Sequence, residues 1–74
     1  MFDVGFKNYK YLQEKYPPGT RIQLIRMQDP YPLPAGSKGT VISVGRLGNI
    51  FMNWDDGSTL SLCVGIDDFK IIKE

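Results

Sequence analysis

The run Asn49-Ile50-Phe51-Met52-Asn53-Trp54-Asp55-Asp56-Gly57-Ser58-Thr59-Leu60 decides the fold. Its first half alternates, with Ile50, Met52 and Trp54 on one side and Asn49, Phe51 and Asn53 on the other. That period of two is the mark of a half-buried strand. Asp55-Asp56-Gly57-Ser58 then reads as a hairpin turn, in which Asp-Gly supplies the positive φ of type I′ geometry. A second strand over residues 59–63 follows, with Leu60 and Leu62 on one face. Two short strands with a tight turn between them make an antiparallel pair.

Working outward, the same grammar repeats. Gly45-Arg46-Leu47-Gly48 is a turn, and residues 38–44 before it form a strand carrying Val41, Ile42 and Val44. Further back, Asp29-Pro30-Tyr31-Pro32-Leu33-Pro34 sets three prolines at alternate positions within a loop over residues 28–37. Each proline fixes φ and removes a donor, so this stretch is no central strand. It is expected to be extended and exposed. Residues 21–27 form another strand, with Ile22 and Leu24 alternating against Arg21 and Gln23.

Residues 7–16 predict a short helix whose stripe is Phe6, Tyr9, Leu12, Gln13 and Tyr16, with Asn8 as N-cap. Pro17-Pro18 ends it, because a proline disfavours helical geometry in the residue before it. So short a helix is marginal alone and must dock. On the other side, a connector over residues 64–68 predicts one turn of 3₁₀ helix. Residues 69–72 form the last strand, and Lys73-Glu74 reads as a frayed end.

The expectation is a mainly β protein, a five-stranded SH3-like barrel with a short N-terminal α-helix. Residues 1–74 form one domain, with the helical segment in 1–16 and the barrel in 19–72. Curling a sheet onto itself removes exposed strand edges.

Composition narrows the chemistry. A chain of 74 residues has room for one compact core and little volume for an enclosed catalytic cleft. It has no histidine, which excludes Ser-His-Asp and Cys-His catalysis. The single cysteine, Cys63, excludes an internal disulfide and a cysteine-cluster zinc site. No oxidising compartment is needed, so a cytoplasmic location is expected. No apolar run approaches the roughly 20 residues of a membrane span, and no membrane partner is expected.

Net charge is +1, which is no footprint for a dedicated nucleic-acid binder. Residues 1–46 hold seven bases and three acids, and residues 47–74 two bases and five acids. Folding either segregates these halves into a dipolar surface or intermixes them, and the second is expected.

A wider resemblance rests on several segments together. These are Tyr16-Pro17-Pro18-Gly19-Thr20-Arg21-Ile22, Met27, Asp29-Pro30-Tyr31-Pro32, Gly39-Thr40-Val41, Trp54 to Leu60, and Gly65-Ile66-Asp67-Asp68-Phe69. In this joint pattern, spanning roughly Tyr9 to Ile72, the chain resembles the bacterial and phage domain-of-unknown-function family 4314. The resemblance implies a small SH3-like barrel behind a short helix, and an origin on phages or mobile elements. It implies no activity and transfers no catalytic residue. Arg46 stands in a turn where the family tends to be acidic, so a role built on acid there does not carry over.

The candidate surface is Tyr31, Arg26, Asp29, Arg46 and Trp54. An aromatic in the long loop and one at a strand end can line a shallow groove for an extended peptide, or for bases when cations flank it. Each has a plainer reading. The alternation of Trp54 with Ile50 and Met52 favours a core or rim place, and Tyr31 can fold its loop back onto the barrel. Asp55-Asp56 and Asp67-Asp68 form the one carboxylate cluster, which turn chemistry explains without a metal. Cys63 is expected to pack as a small hydrophobe. No catalytic residue, metal site or cofactor is expected.

The function expected is a non-enzymatic binding module for another protein, an adaptor or inhibitor of a host protein. A nucleic-acid-binding barrel using Arg26, Lys38 and Arg46 with Tyr31 is the first alternative. A homo-oligomeric sponge burying a nucleotide-like ligand between subunits is the second.

Overall fold

In the computed structural model, which describes residues 9–74, the strands over 21–26 and 49–54 follow from their alternation. Helix α1 (Tyr9–Lys15) precedes strands β1 (Arg21–Arg26), β2 (Lys38–Val44), β3 (Asn49–Trp54), β4 (Leu62–Cys63) and β5 (Asp68–Ile71). Phe6, Lys7 and the Asn8 cap lie outside the described residues. The strands form one antiparallel sheet in the order β4-β3-β2-β1-β5, a meander with the last strand returned beside the first. This is the strand order of an SH3-like barrel.

The sheet has to curl. β4 and β5 are its two edges, and across a flat sheet they would stand about 19 Å apart. Yet residues 64–67 join them in one helical turn, where the Cys63 carbonyl accepts from Ile66 N–H at 3.1 Å and Asp67 N–H at 2.9 Å. Asp67 fixes this closure. Its buried carboxylate accepts from Gln28 N–H at 2.7 Å, just past β1, and from Cys63 N–H at 2.8 Å in β4.

Ile22, Leu24, Val41, Val44, Ile50, Met52, Trp54 and Leu62 fill the interior. β2 faces inward at Gly39 and Val41, then at Val44, because a bulge between Val41 and Ser43 shifts the alternation by one residue. Ile42 is thereby turned outward. Gly39 is required where it stands. It pairs with Trp54, and a Cβ there would lie 2.8 Å from the indole ring.

The helix docks on its own barrel. Leu12 and Tyr16, one turn apart, are buried in the core, and Tyr16 meets Phe69 edge to face at 5.7 Å. Pro18-Gly19 then makes the turn into β1. Gly19 has φ +96°, and Thr20 N–H donates to the Pro17 carbonyl at 3.1 Å. Proline followed by positive-φ glycine is the chemistry of a type II turn.

Three local expectations are corrected. The strand expected over residues 59–63 shrinks to Leu62–Cys63. The Leu60 carbonyl is taken by the indole N–H of Trp54 at 2.7 Å, which holds residues 58–61 off the ladder. The Asp55-Asp56-Gly57 turn is not type I′, because Gly57 alone has positive φ. Gly57 N–H donates to the Trp54 carbonyl and Trp54 N–H to the Ser58 carbonyl, a type I turn closed by a left-handed glycine. Glu74 is no frayed end, since its carboxylate holds both Arg21 and Lys38 at 2.8 Å.

Candidate functional site

The strand directions place the candidate residues at two ends of the barrel. β2 begins beside the Pro-rich loop and ends at the turn that carries Arg46. Its seven residues separate the two by about 20 Å of strand.

At the first end, the loop is a built structure. Leu24 N–H donates to the Ser37 carbonyl and Gly36 N–H to the Leu24 carbonyl, each at 2.7 Å, so the ladder extends past β1 and β2. Leu33 packs on the core and folds the loop down. Tyr31 does not fold back, being 87% exposed. Asp29 accepts from Tyr31 N–H at 2.9 Å, an Asx turn that shapes the tip. Arg26 is exposed at the end of β1, opposite Asp68 of β5.

Trp54 leaves the surface set. It is 2% exposed, stacked over Gly39, with its indole N–H satisfied by Leu60. It presents no face to a ligand, as its alternation with Ile50 and Met52 required.

At the second end, a cleft of about 280 Å³ opens between α1 and β2, lined by Tyr9, Gln13, Tyr16, Pro18, Ser43 and Val44. The helix places Tyr9, Gln13 and Tyr16 on one side of it by the i, i+4 and i+7 spacing. The Gln13 amide donates to the Tyr9 hydroxyl at 3.2 Å and steadies the wall. One cation stands at its rim, the Arg46 guanidinium, 5.4 Å from the Tyr9 ring centre. Lys15 Nζ lies instead between Tyr16 and Tyr11, 5.5 and 5.8 Å from their ring centres. Charge interaction with Tyr16, then Tyr11, holds the Lys15 ammonium above its ordinary pKa. Arg46 thus belongs with Tyr9 and is not beside Tyr31. The spacing of Tyr9, Gln13 and Tyr16 is the signal that locates this cleft, but in sequence it reads only as a docking stripe.

Arg21, Lys38, Asp55 and Glu74 are committed to structure. Arg21 binds Asp55 through two bonds of 2.8 and 2.7 Å, reaches Glu74 at 2.8 Å and donates to Thr40 Oγ1 at 3.0 Å. Lys38 holds the other oxygen of Glu74. Bases of the first half therefore meet acids of the second, and the intermixed reading holds for these residues. Bonding to Arg21 holds the Asp55 carboxyl below its ordinary range, and bonding to Lys38 and Arg21 does the same for Glu74. Arg21 is correspondingly raised, chiefly by Asp55.

The carboxylate cluster also comes apart. Asp55 pairs with Arg21, Asp56 caps Ser58 N–H at 2.9 Å, and Asp67 clamps the sheet ends. Among the described residues, no three His, Cys, Asp or Glu side chains gather as a metal would need. Cys63 is exposed, not packed, because its neighbour Leu62 takes the inward position. No helix of the described residues is long and apolar enough to cross a membrane.

Neither a curated protein nor a solved structure matches the chain. A family model does match, that of a domain of unknown function, DUF4314, over residues 7–72. That match takes in α1 and all five strands, the Pro-rich loop and the Asp67 clamp, and the chain belongs to this family.

Proposed function

We propose that this chain is a small non-enzymatic protein-binding module that grips an extended segment in the cleft between α1 and β2. The cleft itself carries the reading. Two tyrosines and a proline offer flat apolar walls, and Gln13 and Ser43 offer polar atoms beside them. Aromatic- and proline-lined grooves of this kind take extended, proline-bearing peptides, whose ordering cost is already low. The volume of about 280 Å³ falls below the roughly 300–1,000 Å³ of sites that enclose a drug-sized ligand. It suits one or two side chains better than a whole nucleotide.

The nucleic-acid reading draws less support. Lys38 is engaged by Glu74, Arg46 sits on Tyr9, and Arg26 lies at the far end of the barrel. An origin on a phage or mobile element rests on the family resemblance, and a cytoplasmic setting on a lone cysteine that needs no oxidising compartment.

The test is affinity capture from a bacterial lysate, split into nuclease-treated and untreated halves, with wild type beside Ser43→Arg. Ser43 is exposed and its replacement fills the cleft. A protein retained after nuclease and lost with Ser43→Arg is expected. Recovery that vanishes with nuclease, or a partner indifferent to Ser43→Arg, overturns the reading.

A further inference from the structure

The Pro-rich loop and the cleft fit one another chemically, yet they cannot meet within one molecule. The loop leaves β1 and enters β2 at Lys38, whereas Ser43 and Val44, at the far end of β2, line the cleft. We propose that the cleft of one copy receives the loop tip of a second copy, head to tail, with Asp29 facing Arg46 and Tyr31 seated between Tyr9 and Tyr16. The proposal rests on the protein-binding reading and names its occupant.

Three observations carry it. The first is charge. The cleft rim is cationic at Arg46, which is in no ion pair among the described residues. The loop tip is anionic at Asp29, which also holds the Tyr31 backbone through its Asx turn. The second is shape. Tyr31 is a large apolar ring with 87% of its surface in solvent, and a cleft of about 280 Å³ admits one such side chain and a flanking proline. The third is preorganisation. Pro30, Pro32 and Pro34 fix φ, and the Leu33 anchor and the Leu24 bonds hold the base, so little freedom is lost on docking.

A loop in a cleft at the opposite end is a heterologous contact, and such contacts propagate into rings or open chains. One loop tip buries little surface, which places the contact at the weak end of interfaces. Association is therefore read at high concentration.

The experiment uses the full chain, ¹⁵N-labelled, in a dilution series followed by amide shifts and sedimentation. Concentration-dependent mass is expected, with shifts at Tyr31 and at Gln13, Ser43 and Val44 together. Arg46→Asp and Asp29→Arg should each weaken association about tenfold, because each places like charges in contact. Asp29→Arg/Arg46→Asp together, or an equal mixture of the two single variants, should restore it. A synthetic peptide of residues 28–35 titrated into the labelled chain should move the same cleft amides. Arg46 is exposed and Asp29 half-buried, and circular dichroism checks that each variant folds.

A strict monomer at millimolar concentration whose cleft ignores the peptide overturns the proposal. So does association that survives Arg46→Asp, or a charge swap that restores nothing. A monomer that still captures a nuclease-resistant protein, lost on Ser43→Arg, overturns self-docking alone and leaves the binding reading standing.

Discussion

The β2–β3 and β3–β4 turns are the same loop built twice. Gly45 N–H donates to the Asn49 carbonyl and Gly48 N–H to the Gly45 carbonyl. Trp54, Ser58 and Gly57 repeat that pair of bonds nine residues later. Gly48 and Gly57 both take the left-handed conformation, at φ +85° and +93°. The side chains then diverge. The second turn starts from the core tryptophan, and its Asp55 is tied to Arg21. The first turn lifts Arg46 and Leu47 into solvent, Leu47 76% exposed, with Arg46 leaning over Tyr9. Identical backbones thus serve different ends, because a turn fixes only where its side chains start. One holds the barrel together, and the other borders the cleft.

Substitutions can break that contrast at graded cost. Trp54→Ala should have the largest effect, about 3–5 kcal/mol of stability, since it empties a fully covered ring site and orphans the Leu60 carbonyl. A urea midpoint read at constant slope measures it. Gly57→Ala comes next. The position is open, so no clash arises, and the left-handed backbone alone should cost about 1–2 kcal/mol. An equal or larger loss is expected for Gly48→Ala, whose φ is similar and whose site is buried. Thermal melts of both variants test whether the backbones are as alike as their bonds.

Asp55 sharpens the comparison through pH. Its folded pKa and that of Glu74 are lowered, so the stability they lend is present above the ordinary carboxylate range. That stability is lost as pH falls through the folded values, from about pH 5 downward. Asp55→Asn with Glu74→Gln should flatten this acid limb, and the wild-type advantage should shrink in high salt. A double variant with an unchanged acid limb would sever the second turn from the ion network. Arg46→Ala should do least, changing stability by no more than about 0.5 kcal/mol while weakening association of the full chain. Stability lost at Arg46 on the scale of Gly57 would erase the distinction between the turns.

The parts of this fold legible in sequence are those set by nearest neighbours. Ile50, Met52 and Trp54 announce β3 because a strand repeats every two residues, and the three alternate prolines announce a loop by what they cannot bond. The bounds of β2 and β3 fall where their apolar pattern and flanking glycines put them. What stayed hidden depends on partners far along the chain. The Leu60 carbonyl is diverted by a side chain six residues back, Glu74 is held by a residue 53 positions away, and Arg46 finds Tyr9 across the cleft. Asp67 reads as a turn residue, and its reach to Gln28 exists only once the sheet has curled. The candidate site divides the same way. Tyr31 and Asp29 follow from local loop chemistry, whereas the cleft needs helix and strand brought together.

The loop between β1 and β2 has its base sealed before its tip begins. Leu24 bonds to Gly36 and Ser37 on one side, Gln28 is held by Asp67 on the other, and Leu33 plugs the floor. Nothing in the barrel core depends on residues 29–32. They form a cassette, and doubling the length of such a closed segment costs only about 0.6 kcal/mol. The barrel should therefore accept a foreign segment grafted in place of the tip, with the sheet beneath it unchanged.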